Sequence, residues 1–182
     1  MQVVRLLHEH SKLRSLGADL VGLVSTAEPC DFSELARRRW GLARMVHLHL
    51  AYEERHLFIP LAADPRPEVR AANEKAKRGV EQLHSLYKAH VEKWDAAQVA
   101  SNWPEFQASV KTMVMRMIVK IDREEADLFP LIETDVQIGS NWQPGMRNWA
   151  GDGVALQSLI TGTLARHNNE APIDVPQSAI RP

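Results

Sequence analysis

The sequence predicts an all-α fold, an antiparallel up-down-up-down four-helix bundle with a C-terminal extension. Three observations predict it. Four long stretches, 3–27, 32–62, 68–97 and 103–134, repeat apolar residues at three- and four-residue spacing, the period of a helix with one buried face. The breaks between them are short and rich in Pro, Asp and Asn, which places consecutive helices side by side. One segment also occurs twice, as H-x-x-x-E-E-x-x-L-F from His49 to Phe58 and as K-x-x-x-E-E-x-x-L-F from Lys120 to Phe129, each closed by a proline, Pro60 or Pro130. That repeat points to two related helical hairpins.

The first stretch carries Leu6, His10, Leu13, Gly17, Leu20 and Val24 on one stripe, so His10 belongs to the apolar face and His8 to the exposed one. Glu28-Pro29-Cys30 ends it, and Asp31 or Ser33 can cap the next helix. The second stripe runs through Leu35, Leu42, Met45, Val46, His49, Glu53 and Leu57. His47 falls on the opposite side and is read as a surface residue. Asp64-Pro65-Arg66-Pro67 is the next boundary. The third stripe contains Val80, Leu83, Tyr87, Val91 and Trp94, with His84 flanking it and Glu81 on a neighbouring face. Asn102, Pro104 and Glu105 open the fourth helix. Its stripe places Lys120 and Glu124 on the buried line, where charge is costly unless paired. The bundle is assigned to residues 1–138 and the extension to 139–182, with a short helix around 153–166 and a loose tail after it.

Bulk composition removes several function classes. With a formal net charge of −1 there is no broad basic field for nucleic acid. No apolar run approaches the ~20 residues that span a bilayer. One cysteine, Cys30, allows no internal disulfide and agrees with a cytoplasmic setting. No nucleophile elbow or phosphate loop appears, so a hydrolase is disfavoured. A single E-x-x-H pair, Glu81 to His84, argues against a ferritin-like oxidase.

The inward stripes collect His10, His49, Glu53, His84, Lys120 and Glu124, with Glu81 and Glu125 at the edges. Imidazole and carboxylate from facing helices are how bundles hold iron or manganese. Glu9-His10-x-x-Leu13-Arg14, His49-x-x-x-Glu53-Glu54-x-x-Leu57-Phe58, His84 and Glu124-Glu125-x-x-Leu128-Phe129-Pro130 together resemble the hemerythrin-like (HHE cation-binding) domain across about residues 3–134. The resemblance implies a non-haem di-iron centre and a protein that carries or senses dioxygen, responds to nitric oxide or handles iron. It assigns His10, His49, Glu53, His84 and Glu125 as ligands, with Glu124 the nearest substitute for Glu125 and Glu53 bridging.

Two departures accompany it. Lys120 stands where the family has a fourth-helix His, and His84 and His90 are six residues apart rather than one turn. A protonated Lys has no lone pair to donate, so Lys120 is read as a charge that replaces metal. Two ions, one ion or none all remain open at this stage. The expected function is a metal-binding sensor or regulator, not an enzyme. The alternative is a metal-free bundle acting as a protein-interaction or stress-regulatory module, with a protein partner or a second copy as ligand.

Overall fold

The computed structural model describes residues 2–132 and 146–162. Helix α1 (Gln2–Val24) leads into α2 (Phe32–Glu53), which continues through a π-helical turn (Glu54–Phe58) and a last α-helical turn (Ile59–Ala62). Helix α3 (Pro67–Lys93) is followed by the short α4 (Ala96–Ser101). Helix α5 (Trp103–Arg123) continues through a second π-helical turn (Glu124–Leu128) and a 3-10 turn (Phe129–Leu131). Helix α6 (Trp149–Gln157) runs on into a π-helical turn (Ser158–Gly162). No strand occurs and no helix is long and apolar enough to cross a membrane, among the described residues.

Local chemistry sets these boundaries. The Asp31 carboxylate accepts from the Glu34 N–H at 2.8 Å and opens α2. The third helix, expected to reach residue 97, stops at Lys93, because Asp95 caps the Gln98 N–H at 2.8 Å and starts α4 instead. The helix expected at 153–166 begins earlier, at Trp149, where the Asn148 side chain accepts from the Gly151 N–H. The rest of that expectation, and the tail from His167, lie outside the described residues.

α1 packs on α2 and α5, and α3 packs on α5, as an antiparallel bundle requires. Gly17 permits the close approach of α1 to α5, since a Cβ there would meet Val114 Cγ1 at 2.9 Å. The core has two large apolar clusters and a smaller third under α6. The first contains Leu13, Leu20, Leu42, Trp94, Phe106, Val110 and Ile121. The second contains Leu6, Leu50, Leu57, Phe58, Val80, Leu128 and Trp149. The chain positions between these two on three helices are polar: His10 between Leu6 and Leu13, His49 between Leu42 and Leu50, and Glu124 between Ile121 and Leu128.

The extension joins the bundle. α6 lies along α2, and its continuation touches α3, so that Leu156 and Ile160 pack with Ala43 and Val91. His47, expected on the surface, is only 2% exposed. The reason is α6, which covers that face: a Cβ on Gly153 would lie 2.9 Å from His47 Cβ and Cγ. His8 is exposed, as its helical phase requires.

Candidate metal centre

The polar layer brings four donors together. His10, His49, Glu53 and Glu124 are all buried, and one ligand atom from each lies within 4.8 Å of the others. The two Nε2 atoms of His10 and His49 face each other at 3.2 Å. Glu53 Oε1 lies 3.1 Å from His49 Nε2 and 3.9 Å from His10 Nε2. Glu124 Oε2 lies 3.7 Å from His10 Nε2. Helical phase explains the convergence, because His49 and Glu53 are one turn apart and project from one face.

Each imidazole is held from behind by a carboxylate. His10 Nδ1 donates to Glu125 Oε1 at 2.8 Å, and His49 Nδ1 donates to Glu9 Oε2 at 3.0 Å. An ionised carboxylate only accepts, so Nδ1 carries a proton and Nε2 faces inward. Burial disfavours a second proton there, but Glu53 and Glu9 outweigh it and raise His49, so an ion would replace a proton on that nitrogen. Arginines anchor the carboxylates in turn. Arg5 Nε donates to Glu9 at 2.8 Å, and Arg14 grips both oxygens of Glu125 at 2.9 and 3.0 Å. The Arg14 hydrogen bond holds Glu125 below the usual carboxylate range. Burial works to raise Glu9, but hydrogen bonds from His49 and Arg5 outweigh it and leave it lowered.

Lys120 closes the opposite side. Its Nζ lies 3.0 Å from Glu53 Oε2 and 2.6 Å from Glu124 Oε2. Burial disfavours a charged Glu53, yet the charges of His49 and Lys120 overcome this and hold it well below the ordinary range. Burial and then the Glu53 charge push Glu124 up to about 8, against the pull of Lys120.

The donor set fits a divalent ion. Glu53 Oε1 and Glu124 Oε1 are buried without a hydrogen-bond donor, while Glu124 Oε2 rests against the Lys120 ammonium. Orphaned buried acceptors of this kind are costly unless a cation or proton meets them. Two nitrogens and two carboxylate oxygens suit iron, manganese or zinc. Ligands at ~2.1 Å from one ion stand roughly 3–4 Å apart, the spacing of the two Nε2 atoms and Glu53 Oε1.

The remaining candidates sit elsewhere. Glu125 backs His10 rather than facing the four-donor cluster. His84 Nδ1 accepts from Arg147 Nη2 at 3.2 Å, and its ring meets His47 and Trp149 edge-on. Glu81 is exposed. The sequence reading gave no role to Glu9 or Arg14, although both belong to the Glu9-His10-x-x-Leu13-Arg14 motif. Arg5 and Glu9, one helical turn apart, were a visible i,i+4 pair. Glu54, also buried, accepts from Lys77 at 2.8 Å and receives the Trp149 Nε1–H at 3.5 Å.

Beside the cluster a cavity of about 80 Å³ opens toward the first apolar cluster. His49 and Lys120 line one part of it, and Leu13, Leu83, Val114 and Met117 contribute apolar wall.

Residues 1–132 match the family model of the hemerythrin HHE cation-binding domain. No curated protein and no solved structure matches the chain.

Proposed function

Because the chain belongs to the hemerythrin HHE cation-binding domain family, we propose that it binds non-haem iron through His10, His49, Glu53 and Glu124 and serves as a gas- or redox-responsive regulator rather than a catalyst. The observation that carries this reading is the convergence of four buried donors, with Glu53 Oε1 and Glu124 Oε1 left without hydrogen-bond donors. Bound iron would supply an open coordination position and a one-electron couple.

The residues around it support a small, apolar ligand such as dioxygen or nitric oxide. The 80 Å³ cavity adjoins His49 and has a largely apolar wall, which favours a diatomic gas over a charged substrate. A route for a signal is also present. Glu53 is followed directly by Glu54, which is bonded to Lys77 of α3 and to Trp149 of α6. A shift of the π-helical turn on ligand binding would move that bond and with it the extension. A protein partner or a second copy of the chain would then read the position of α6. The lone cysteine agrees with a reducing, cytoplasmic setting.

One observation favours a second reading. Lys120 already pairs with both buried carboxylates, as a metal-free interaction module would require. Protein from iron-supplemented medium separates the two by metal analysis. The iron reading predicts bound iron that is lost in His49→Ala and Glu53→Ala with the helical content kept. Iron, manganese and zinc all far below one ion per chain would leave the metal-free module.

A further inference from the structure

Two cation positions share the same pair of carboxylates: Glu53 turns one oxygen to each, and Glu124 Oε2 stands between them. Glu53 directs Oε1 toward His49 Nε2 at 3.1 Å and Oε2 toward Lys120 Nζ at 3.0 Å. Glu124 Oε2 contacts Lys120 Nζ at 2.6 Å and stands 3.7 Å from His10 Nε2. The first position is ringed by acceptors. The second is filled by an ammonium.

The internal repeat says what has been exchanged. Lys120 aligns with His49 and Glu124 with Glu53. Where the first copy presents an imidazole lone pair to its glutamate, the second presents a positive charge. Among the described residues the four-donor cluster includes no further nitrogen: His84 Nδ1 accepts from Arg147, and its Nε2 lies buried in the wall of the neighbouring cavity, outside the cluster.

We propose that the Lys120 ammonium is a built-in second cation, so that the centre takes one metal ion, on the His10–His49 side, and is barred from taking two. The inference rests on the metal-binding reading above. It adds a count, and it adds a reason for Lys120 to be buried beside a divalent ion. The ammonium holds Glu53 Oε2 and Glu124 Oε2, which leaves Glu53 Oε1 aimed at the imidazoles. Lys120 also repels the ion, since two positive groups then share one bridge in a poorly screened interior.

Cobalt(II) titration, followed by its visible bands and by metal content after desalting, tests this with the full chain. The wild type is expected to saturate at one ion. Lys120→Met removes the charge while keeping the length, and is expected to bind that ion at least tenfold more tightly. Lys120→Arg keeps the charge and is expected to stay within about threefold of the wild type. Saturation of the wild type at two ions overturns the inference and leaves the metal-binding reading standing. So does weaker binding by a folded Lys120→Met, which would make Lys120 a positioning group for the ligands. No ion in any of the three proteins overturns the metal-binding reading itself. The wild-type count stands even if Lys120→Met fails to fold.

Discussion

At the scale of single residues, the centre depends on which proton sits where. Glu9 and Glu125 fix the imidazoles of His49 and His10 from behind. Such partners orient a ligand and raise its basicity, and losing one weakens metal binding by roughly 10–100-fold. Glu9→Gln is therefore expected to lower cobalt(II) affinity by that factor with unchanged helical content, measured by titration. Binding within twofold of wild type would remove Glu9 from the site.

His90 carries a separate pH dependence. Burial, followed by the positive charges of Arg39 on α2 and Lys93 on its own helix, pushes it down to about 3. Its Nδ1 meets Ser109 Oγ at 2.8 Å and its ring stacks near Phe106, both on α5. The folded value lies below the unfolded one, near 6.5. The unfolded chain therefore binds the extra proton first, and this part of the stability is present above pH ~6.5 and lost as pH falls toward 3. His90→Gln is expected to flatten that limb of a denaturation-versus-pH profile. An unchanged limb would place the acid sensitivity elsewhere.

At the scale of elements, two of the three π-helical turns among the described residues start within one residue of Glu53 and at Glu124 itself. A π-turn adds a residue to the helical ladder and is frequent at functional sites. Here the segments of both E-E-x-x-L-F copies adopt it. His10, His49 and Glu53 were legible in the sequence because regular three- and four-residue spacing fixes their face before any packing is known. Between Glu124 and Glu125, the apolar stripe already puts Glu124 on the buried line; the resemblance instead assigns the ligand role to Glu125, which backs His10 from outside the cluster.

His47 was misplaced for a different reason. Its face is covered by an element distant in the chain, α6, and a bundle of four helices has no partner for it. The contact is tight at Gly153. Gly153→Ala is expected to destabilise the docked α6 by about 1–3 kcal/mol, the usual cost of overpacking. A shift in denaturant midpoint and faster proteolysis near residues 146–162 would register it. An unchanged midpoint would mean that α6 is not seated on His47.

At the scale of the whole molecule, a polar layer divides two apolar clusters. Four buried ionisable groups interrupt the bundle where an apolar layer would pack more cheaply. The arrangement is expected to be under-stabilised without an ion, and binding to the folded state alone shifts the unfolding equilibrium. At an ion concentration 100 times the dissociation constant the gain is about 2.7 kcal/mol, or roughly 5–10 °C in Tm for a chain of this size. A thermal melt with and without cobalt(II) or iron(II) measures it. The bundle itself was legible from apolar spacing, since four amphipathic helices with short breaks have few ways to bury their stripes. The insertion of α6 was not, because Trp149, Leu156 and Ile160 give a short pattern with no marked partner.

The most direct test of the central claim is an anomalous difference map at the iron edge, from crystals of iron-loaded protein. The account predicts one peak, placed among His10 Nε2, His49 Nε2, Glu53 and Glu124, with Lys120 still bridging the two carboxylates on the far side. A structure with no peak there, or with the ion bound at another set of residues, would contradict it.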